Sequence, residues 1–216
     1  MKKDYAPEMV TAFIRLNGAT VGCVANRSEV YTDGEKTASY DAALTATGCE
    51  KAAAFVNFCN AFEIPVLTLT NVNGFKATVC GEKMMAKSVG ALVHAFADAT
   101  VPKVNVVIGK AFGTAYTAMN SKAIGADMVY AWENAEIGMM DADLAAKIMY
   151  AGDDAAALTE KAAEYRELQN SVSSAAARGY VDTIISPADT RKYVIGAFEM
   201  LFTKREERPS KKHGTV

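Results

Sequence analysis

The sequence predicts an α/β domain in which helices cross over between buried parallel strands. Twice the chain runs helix, apolar residue, proline, short β-branched strand, glycine-containing loop and helix. The first pass goes through Ile64-Pro65 into Val66–Thr70, the second through Val101-Pro102 into Val104–Ile108. That recurrence suits a right-handed βα superhelix or a parallel sheet with crossover helices. Half of the 216 residues are hydrophobic and 22% are charged, enough for one domain of good size or two small ones around a buried core.

The elements follow in order. Met9–Leu16 reads as a strand, with Val10, Ala12, Ile14 and Leu16 on one side at period two. Asn17-Gly18 is a hairpin turn signal, and Thr20–Ala25 is the return strand. Residues 26–45 are polar and broken and are expected to be loop. A helix over Cys49–Phe62 buries Phe55, Phe58, Cys59 and Phe62 as one stripe. After the Val66–Thr70 strand comes the turn Asn73-Gly74-Phe75. A helix over Gly81–Ala99 then places Met84, Met85, Val89, Leu92, Val93 and Phe96 on one face. The Val104–Ile108 strand leads through Gly109–Thr114 into a helix over Ala115–Ser121. Ala126–Trp132 and Ala135–Met139 are short strands. Ala142–Tyr150, Asp154–Arg178 and Ala188–Thr203 are helices, with Gly179 as the stop of the longest. The charged end, Lys204–Val216, is expected to run along the surface or to reach a partner.

Composition excludes several classes of function. A net charge of −2 and a pI near 5.8 argue against a protein that binds nucleic acid through its overall field. Cys23, Cys49, Cys59 and Cys80 form no Cys-x-x-Cys pair, and there are two histidines, so neither a zinc ribbon nor a disulfide scaffold is expected. The thiols suit a reducing compartment as small apolar residues. No run reaches the roughly 18 apolar residues of a membrane span, and no apolar stretch follows the charged start as in a signal peptide. A cytoplasmic domain is expected, with little equipment for histidine-based catalysis.

The most informative chemical segment is Gly109-Lys110-Ala111-Phe112-Gly113-Thr114-Ala115. A buried strand ends in a glycine turn that opens a helix, where free backbone N–H groups can stabilise an oxyanion or bind a phosphate. The same residues also suit an ordinary strand-to-helix turn, and the Gly-Lys-Ser/Thr ending of a P-loop is missing. Asn73-Gly74-Phe75 could present another N–H beside an apolar wall, or be a plain turn. Glu133, Glu136, Asp141 and Asp143 form an acidic cluster that could do acid–base work or hold a metal. Solvated loop charges with Asp141 as a helix cap are the simpler reading. His94 is expected to be packed or at the surface and His213 to lie in the charged tail. Met139-Met140 are expected as core filler. Lys204-Arg205, Arg208 and Lys211-Lys212 form a basic end, either solvated or in contact with an anion or partner.

These residues also carry a family likeness. The stretches VTAFIRLNG, VGCVANR, AAAFVNFCNAFEIPVLTLTNVNGF, ALVHAFADATVPKVNVVIGKAFGTAYTAMNSKAIGADMVYAWENAEIGMM, RGYVDTIISPADTRKYV and LFTKREERPSKKHG span the chain from about Tyr5 to Gly214. On them the chain resembles the C-terminal half of the carboxyltransferase subunit of biotin-dependent acyl-CoA carboxylases and decarboxylases. The resemblance implies a ClpP/crotonase-like ββα superhelix with flanking helices, over residues 1–216 as a single C-terminal domain without its N-terminal counterpart. It implies transfer of a carboxyl group between carboxybiotin on a carrier protein and an acyl-CoA of the acetyl, propionyl or methylmalonyl class. Backbone amides would hold the anions and no metal would be needed.

By position, the oxyanion hole of this half falls on Thr114 and Ala115 after Gly113. Tyr116 and Thr117 follow where substrate size is sensed, and Asn73, Gly74 and Phe75 line the biotin side. The family pattern Gly-Gly-Ala is Gly113-Thr114-Ala115 here, and Pro-Gly-Phe is Asn73-Gly74-Phe75. Lys76–Cys80 departs from the usual Pro-Gly-Thr and acidic pattern, which leaves the acyl group and the direction of reaction open. Implied partners are the N-terminal carboxyltransferase domain or subunit, the biotin carboxyl carrier protein and further copies of the chain. A membrane decarboxylase subunit is a further candidate, and no nucleic acid is expected. Two other readings stay open. One is a self-sufficient crotonase-like hydratase or thioesterase using the acidic cluster; the other is a noncatalytic assembly subunit.

Overall fold

The computed structural model describes residues 1–207. Arg208, Lys211, Lys212 and His213 lie outside them. β1 (Met9–Leu16) and β2 (Ala19–Asn26) pair antiparallel around Asn17-Gly18, whose φ values of 47° and 84° are those of a tight hairpin turn. Residues 26–45 are not merely loop. β3 (Glu29–Thr32) and β4 (Glu35–Ser39) form a second hairpin around Asp33-Gly34, with φ of 52° and 85°. Both of its strands are largely exposed, so no apolar alternation betrays them. β5 (Ala43–Leu44) follows. α1 (Ala46–Ala61) starts ahead of the expected Cys49 because Thr45 Oγ1 accepts the Gly48 N–H at 2.9 Å.

Next come β6 (Val66–Val72), β7 (Gly74–Phe75), α2 (Val79–Asp98), β8 (Lys103–Phe112) and α3 (Gly113–Ala118). β9 (Met128–Trp132), β10 (Glu136–Gly138), α4 (Ala142–Met149) and α5 (Ala155–Tyr165) lead to α6 (Val172–Ala177), β11 (Thr183–Ile185) and α7 (Thr190–Met200). The long helix expected over Asp154–Arg178 is thus broken. After α5 the chain widens into a π turn, Arg166–Asn170, and Ser171 is extended because it bridges to Glu136 of β10. Gly179, with φ of 80°, stands just past α6 as expected.

The main sheet runs β1-β2-β6-β8-β9-β11, parallel from β2 onward, with β10 joining the end of β8. One face is covered by α1, α2 and α3, through Phe55, Cys59, Leu92, Phe96 and Ala115. The other is covered by α7, through Val194 and Ala197 on Val104, Val106 and Tyr130. Burial on both faces explains the continuous apolar run of β8. The expected helix stripes are only partly buried. Phe58 and Phe62 are 40% and 65% exposed and stack on each other outside α1. Met84 is exposed because burial along α2 begins at Ser88, where Ser88 Oγ reaches Glu50 of α1. Met139 is likewise exposed rather than core filler. Lys204 is not solvated: its ammonium bonds Asp127 at 2.9 Å and the Val101 carbonyl at 3.3 Å.

A bend in β8 positions the site. Pairing with β6 jumps from Thr70–Val107 to Val72–Ala111, so Asn71 alone faces Ile108, Gly109 and Lys110. Asn71 Oδ1 accepts the Lys110 N–H at 3.0 Å, and the Asn26 side chain holds the Asn71 backbone through both its N–H and its carbonyl. The first part of β8 therefore pairs with β9 and its end with β10.

Candidate functional site

At the end of bent β8, Gly113 takes a φ of 61°, and an added Cβ would sit 3.1 Å from the Met139 carbonyl oxygen. The turn therefore needs glycine twice over, for a left-handed backbone and for close approach of a neighbouring strand end. Phe112 precedes α3 with no side-chain cap, so the amides at the start of α3 are not satisfied by a capping side chain. α3 spans six residues, so its macrodipole is small and these N–H groups act chiefly as individual donors. Thr114 is exposed and Ala115 is buried. Thr117 Oγ1 lies 3.5 Å from the Gly113 carbonyl.

α3 is anchored from beneath by a buried polar ladder. Thr70 Oγ1 donates to Asn105 Oδ1 at 2.9 Å and reaches the Met119 carbonyl at 3.4 Å. Asn120 Nδ2 donates to Thr68 Oγ1 at 3.1 Å. These side chains are fully buried, and hydrogen bonds in such surroundings are costly to break. Tyr116 points into the interior. It is 8% exposed, its hydroxyl has no partner among the described residues, and its pKa is pushed up to about 12, first by burial and then by Asp182 and Tyr180.

The second turn lies close by. β7 pairs in parallel with β5 and packs beside α3, which brings Gly74 and half-buried Phe75 next to the Gly113–Ala118 segment. Asn73 is exposed and its N–H donates to the Ala42 carbonyl at 2.6 Å. The two turns singled out in the sequence, nearly forty positions apart, thus form one surface at the C-terminal ends of β6 and β8. Ligands of open α/β sheets bind at this end of the strands. A groove of about 620 Å³, lined by residues such as Pro65, Pro102, Phe198 and Phe202, lies at the opposite end.

The acidic cluster is dispersed into ion pairs. Asp141 caps α4 by accepting the Asp143 N–H at 3.0 Å and pairs with Lys110 at 3.1 Å. Burial pushes its pKa up, but the Lys110 hydrogen bond and charge, with the Asp143 and Leu144 amides, outweigh this and hold it below the usual carboxylate range. Glu136 and Asp143 both lie 3.6 Å from the Arg166 guanidinium, and Glu133 is exposed. A carboxylate held charged by a lysine is a poor proton shuttle near neutrality. His94 is half-buried on α2. Asn26, Asn71 and Asn170 shape the site but were not singled out in the sequence, and Lys110 stood there only as part of the Gly109–Ala115 segment. Asparagine within a strand is uncommon, and that was the available signal for Asn26 and Asn71.

Comparison with known proteins agrees with this architecture. The carboxyl transferase domain family matches residues 1–216. The methylmalonyl-CoA carboxyltransferase 12S subunit of Propionibacterium freudenreichii subsp. shermanii is 44% identical over 221 aligned positions, covering 99% of this chain and 40% of that protein. The methylmalonyl-CoA decarboxylase subunit alpha of Propionigenium modestum is 39% identical, covering 98% of this chain and 41% of that protein. A crystal structure of a transcarboxylase 12S hexamer, with methylmalonyl-coenzyme A and methylmalonic acid bound, superposes with a TM-score of 0.89 at 42% identity. It covers 99% of this chain and 40% of that one. The chain spans about two-fifths of the length of the curated relatives it matches. The fold is the crotonase-like one expected from the sequence. With one domain family matched from end to end, the chain belongs to the carboxyl transferase domain family.

Proposed function

We propose that this chain is the biotin-facing, C-terminal half of an acyl-CoA carboxyltransferase or decarboxylase, with residues 1–216 forming one domain. The observation that carries the reading is the meeting of the Gly113–Ala115 turn with Gly74-Phe75 at the ends of β6 and β8. It is supported by relatives that act on methylmalonyl-CoA.

The residues present suit a flat, neutral ring with a carbonyl oxygen. Gly113 lets the turn sit left-handed against the Met139 carbonyl, Phe75 offers an apolar wall, and the uncapped N–H groups of Thr114 and Ala115 are the candidate donors. When bound, carboxybiotin on a carrier protein would supply the CO2 and a base for the substrate α-proton. The chain's own part is electrostatic. The N–H groups of Thr114 and Ala115 would donate to the ureido oxygen of bound biotin and would stabilise negative charge there. One such donor is worth about 10²–10³ in kcat. Asn73 and Gly74 would border the ring, while Thr117 would set the shape of the acyl end, with Tyr116 packed beneath it. No ionisable side chain is needed for this role, which fits the commitment of the acidic cluster to ion pairs.

The implied partners are the N-terminal carboxyltransferase portion, a biotin carboxyl carrier protein and further copies of the chain. A membrane decarboxylase subunit joins them if the reaction runs toward CO2 release. Among the described residues no helix is long and apolar enough to cross a membrane, and a cytoplasmic location is part of the proposal. The test is decarboxylation of malonyl- or methylmalonyl-CoA with free biotin, with and without a supplied N-terminal portion. Activity should require that portion. Equal activity without it would defeat the half-site reading.

A further inference from the structure

We propose that Asn170 is a positioning residue for the Gly113 turn, acting through the segment Gly138–Met140. The inference rests on the functional reading above and names what holds its oxyanion turn in place. Asn170 closes the π turn Arg166–Asn170 and is fully buried. Its Nδ2 donates to the Met140 carbonyl at 3.0 Å. Its Oδ1 lies directly over Gly138, where an added Cβ would be 2.1 Å from that oxygen. Between these two contacts sits Met139, whose carbonyl oxygen bears on Gly113. One side chain therefore grips both neighbours of the residue that abuts the turn.

The surroundings point the same way. Arg166, at the other end of the π turn, reaches Glu136 before the segment and Asp143 after it, both at 3.6 Å. Ser171 bridges Glu136 directly. The π turn thus holds the segment from residue 136 to residue 143. The Arg166 pairs are partly exposed and contribute little individually. Asn170 is the buried member, and its Oδ1 is left without a partner among the described residues. Stability alone would favour an apolar residue in a regular helix over a buried, half-satisfied amide in a widened turn. Misplacing a donor by about 1 Å can cost ~10²-fold in rate.

The experiment uses the assembled carboxyltransferase, this chain together with its N-terminal portion. The variants are N170A, N170D, G138A and N170A/G138A. N170D keeps the side-chain shape and replaces the donor to Met140 by an acceptor, so it informs even if N170A folds poorly. We expect kcat for carboxyl transfer to fall about tenfold or more in each single variant, with KM for acyl-CoA within about twofold. The double variant should be no worse than the worse single one, because both act through one contact. In parallel, amide hydrogen exchange at Thr117 and Ala118, whose N–H groups close the turns of α3 back onto Gly113 and Thr114, should accelerate in N170D, while that of α1 stays as in the wild type. A wild-type kcat with unchanged exchange at Thr117 and Ala118 overturns the inference, as does a purely additive double variant. An inactive wild-type assembly refutes the functional reading instead, and the exchange measurement then decides the positioning role by itself.

Discussion

Replacing Gly113 by alanine perturbs the candidate turn where the structure gives two separate reasons for a cost. The left-handed φ of 61° costs an L-residue about 1–2 kcal/mol. The added Cβ must also sit 3.1 Å from the Met139 oxygen, tighter than ordinary contact, and relieving such overpacking costs about 1 kcal/mol or more. The sum is about 2–3 kcal/mol. For a domain of this size each kcal/mol moves the unfolding midpoint by about 2–4 °C, so G113A should lower it by about 5–10 °C. The assay is thermal unfolding followed by circular dichroism, with G90A as control. Gly90 is exposed within α2 and a Cβ there meets nothing within 4 Å, so that variant should gain about 0.5–1 kcal/mol. A G113A midpoint equal to or above that of the wild type would refute the argument that the turn is left-handed and pressed against Met139.

Three further predictions concern the thiols and the C-terminal anchor. Burial pushes Cys23 and Cys59 up to about 11 and Cys49 to about 12, while Cys80 is exposed. A thiol reagent should therefore modify Cys80 alone in the native protein and all four cysteines in denaturant. These raised values also set an alkaline limit. The three thiols favour the folded state fully below pH 9.0, their ordinary value, and that contribution is lost as pH rises from there through 11 to 12. Denaturant midpoints should fall over that window, and a flat profile would contradict the burial. Removing the Lys204 ammonium as K204M should cost about 1–3 kcal/mol, because Asp127 loses a partner in a site where both side chains are mostly covered. A change below about 0.5 kcal/mol in chemical denaturation would show that the contact is not formed.

Much of the fold was legible because local chemistry and burial agree there. Ile64-Pro65 and Val101-Pro102 announce strands that are covered on both faces, and Asn17-Gly18 makes the turn it predicts. Where burial is one-sided or absent, the pattern misleads. The β3–β4 hairpin lies within residues 26–45, expected to be loop because the exposed strands there have no apolar alternation. The Phe58 and Phe62 pair and Met84 follow helical spacing yet remain exposed. The helix after Asp154 breaks at Ser171 because a strand from elsewhere claims it, which no local propensity reports.

The sequence by itself determined the fold class, the family likeness and the two turns that carry the candidate chemistry. Glycine, proline and β-branched residues act on the backbone they belong to, so their meaning is local. Only the tertiary structure decided that those turns meet, that Asn71 bends β8 toward β10, and that Asn170 bonds the Met140 carbonyl next to the Met139–Gly113 contact. Each of these depends on residues far apart in the chain and on hydrogen bonds whose partners packing alone selects. The same holds for the acidic residues. Their number was visible in the sequence, but whether they stand free or pair with Lys110 and Arg166 was settled by the strands and the π turn that deliver those cations.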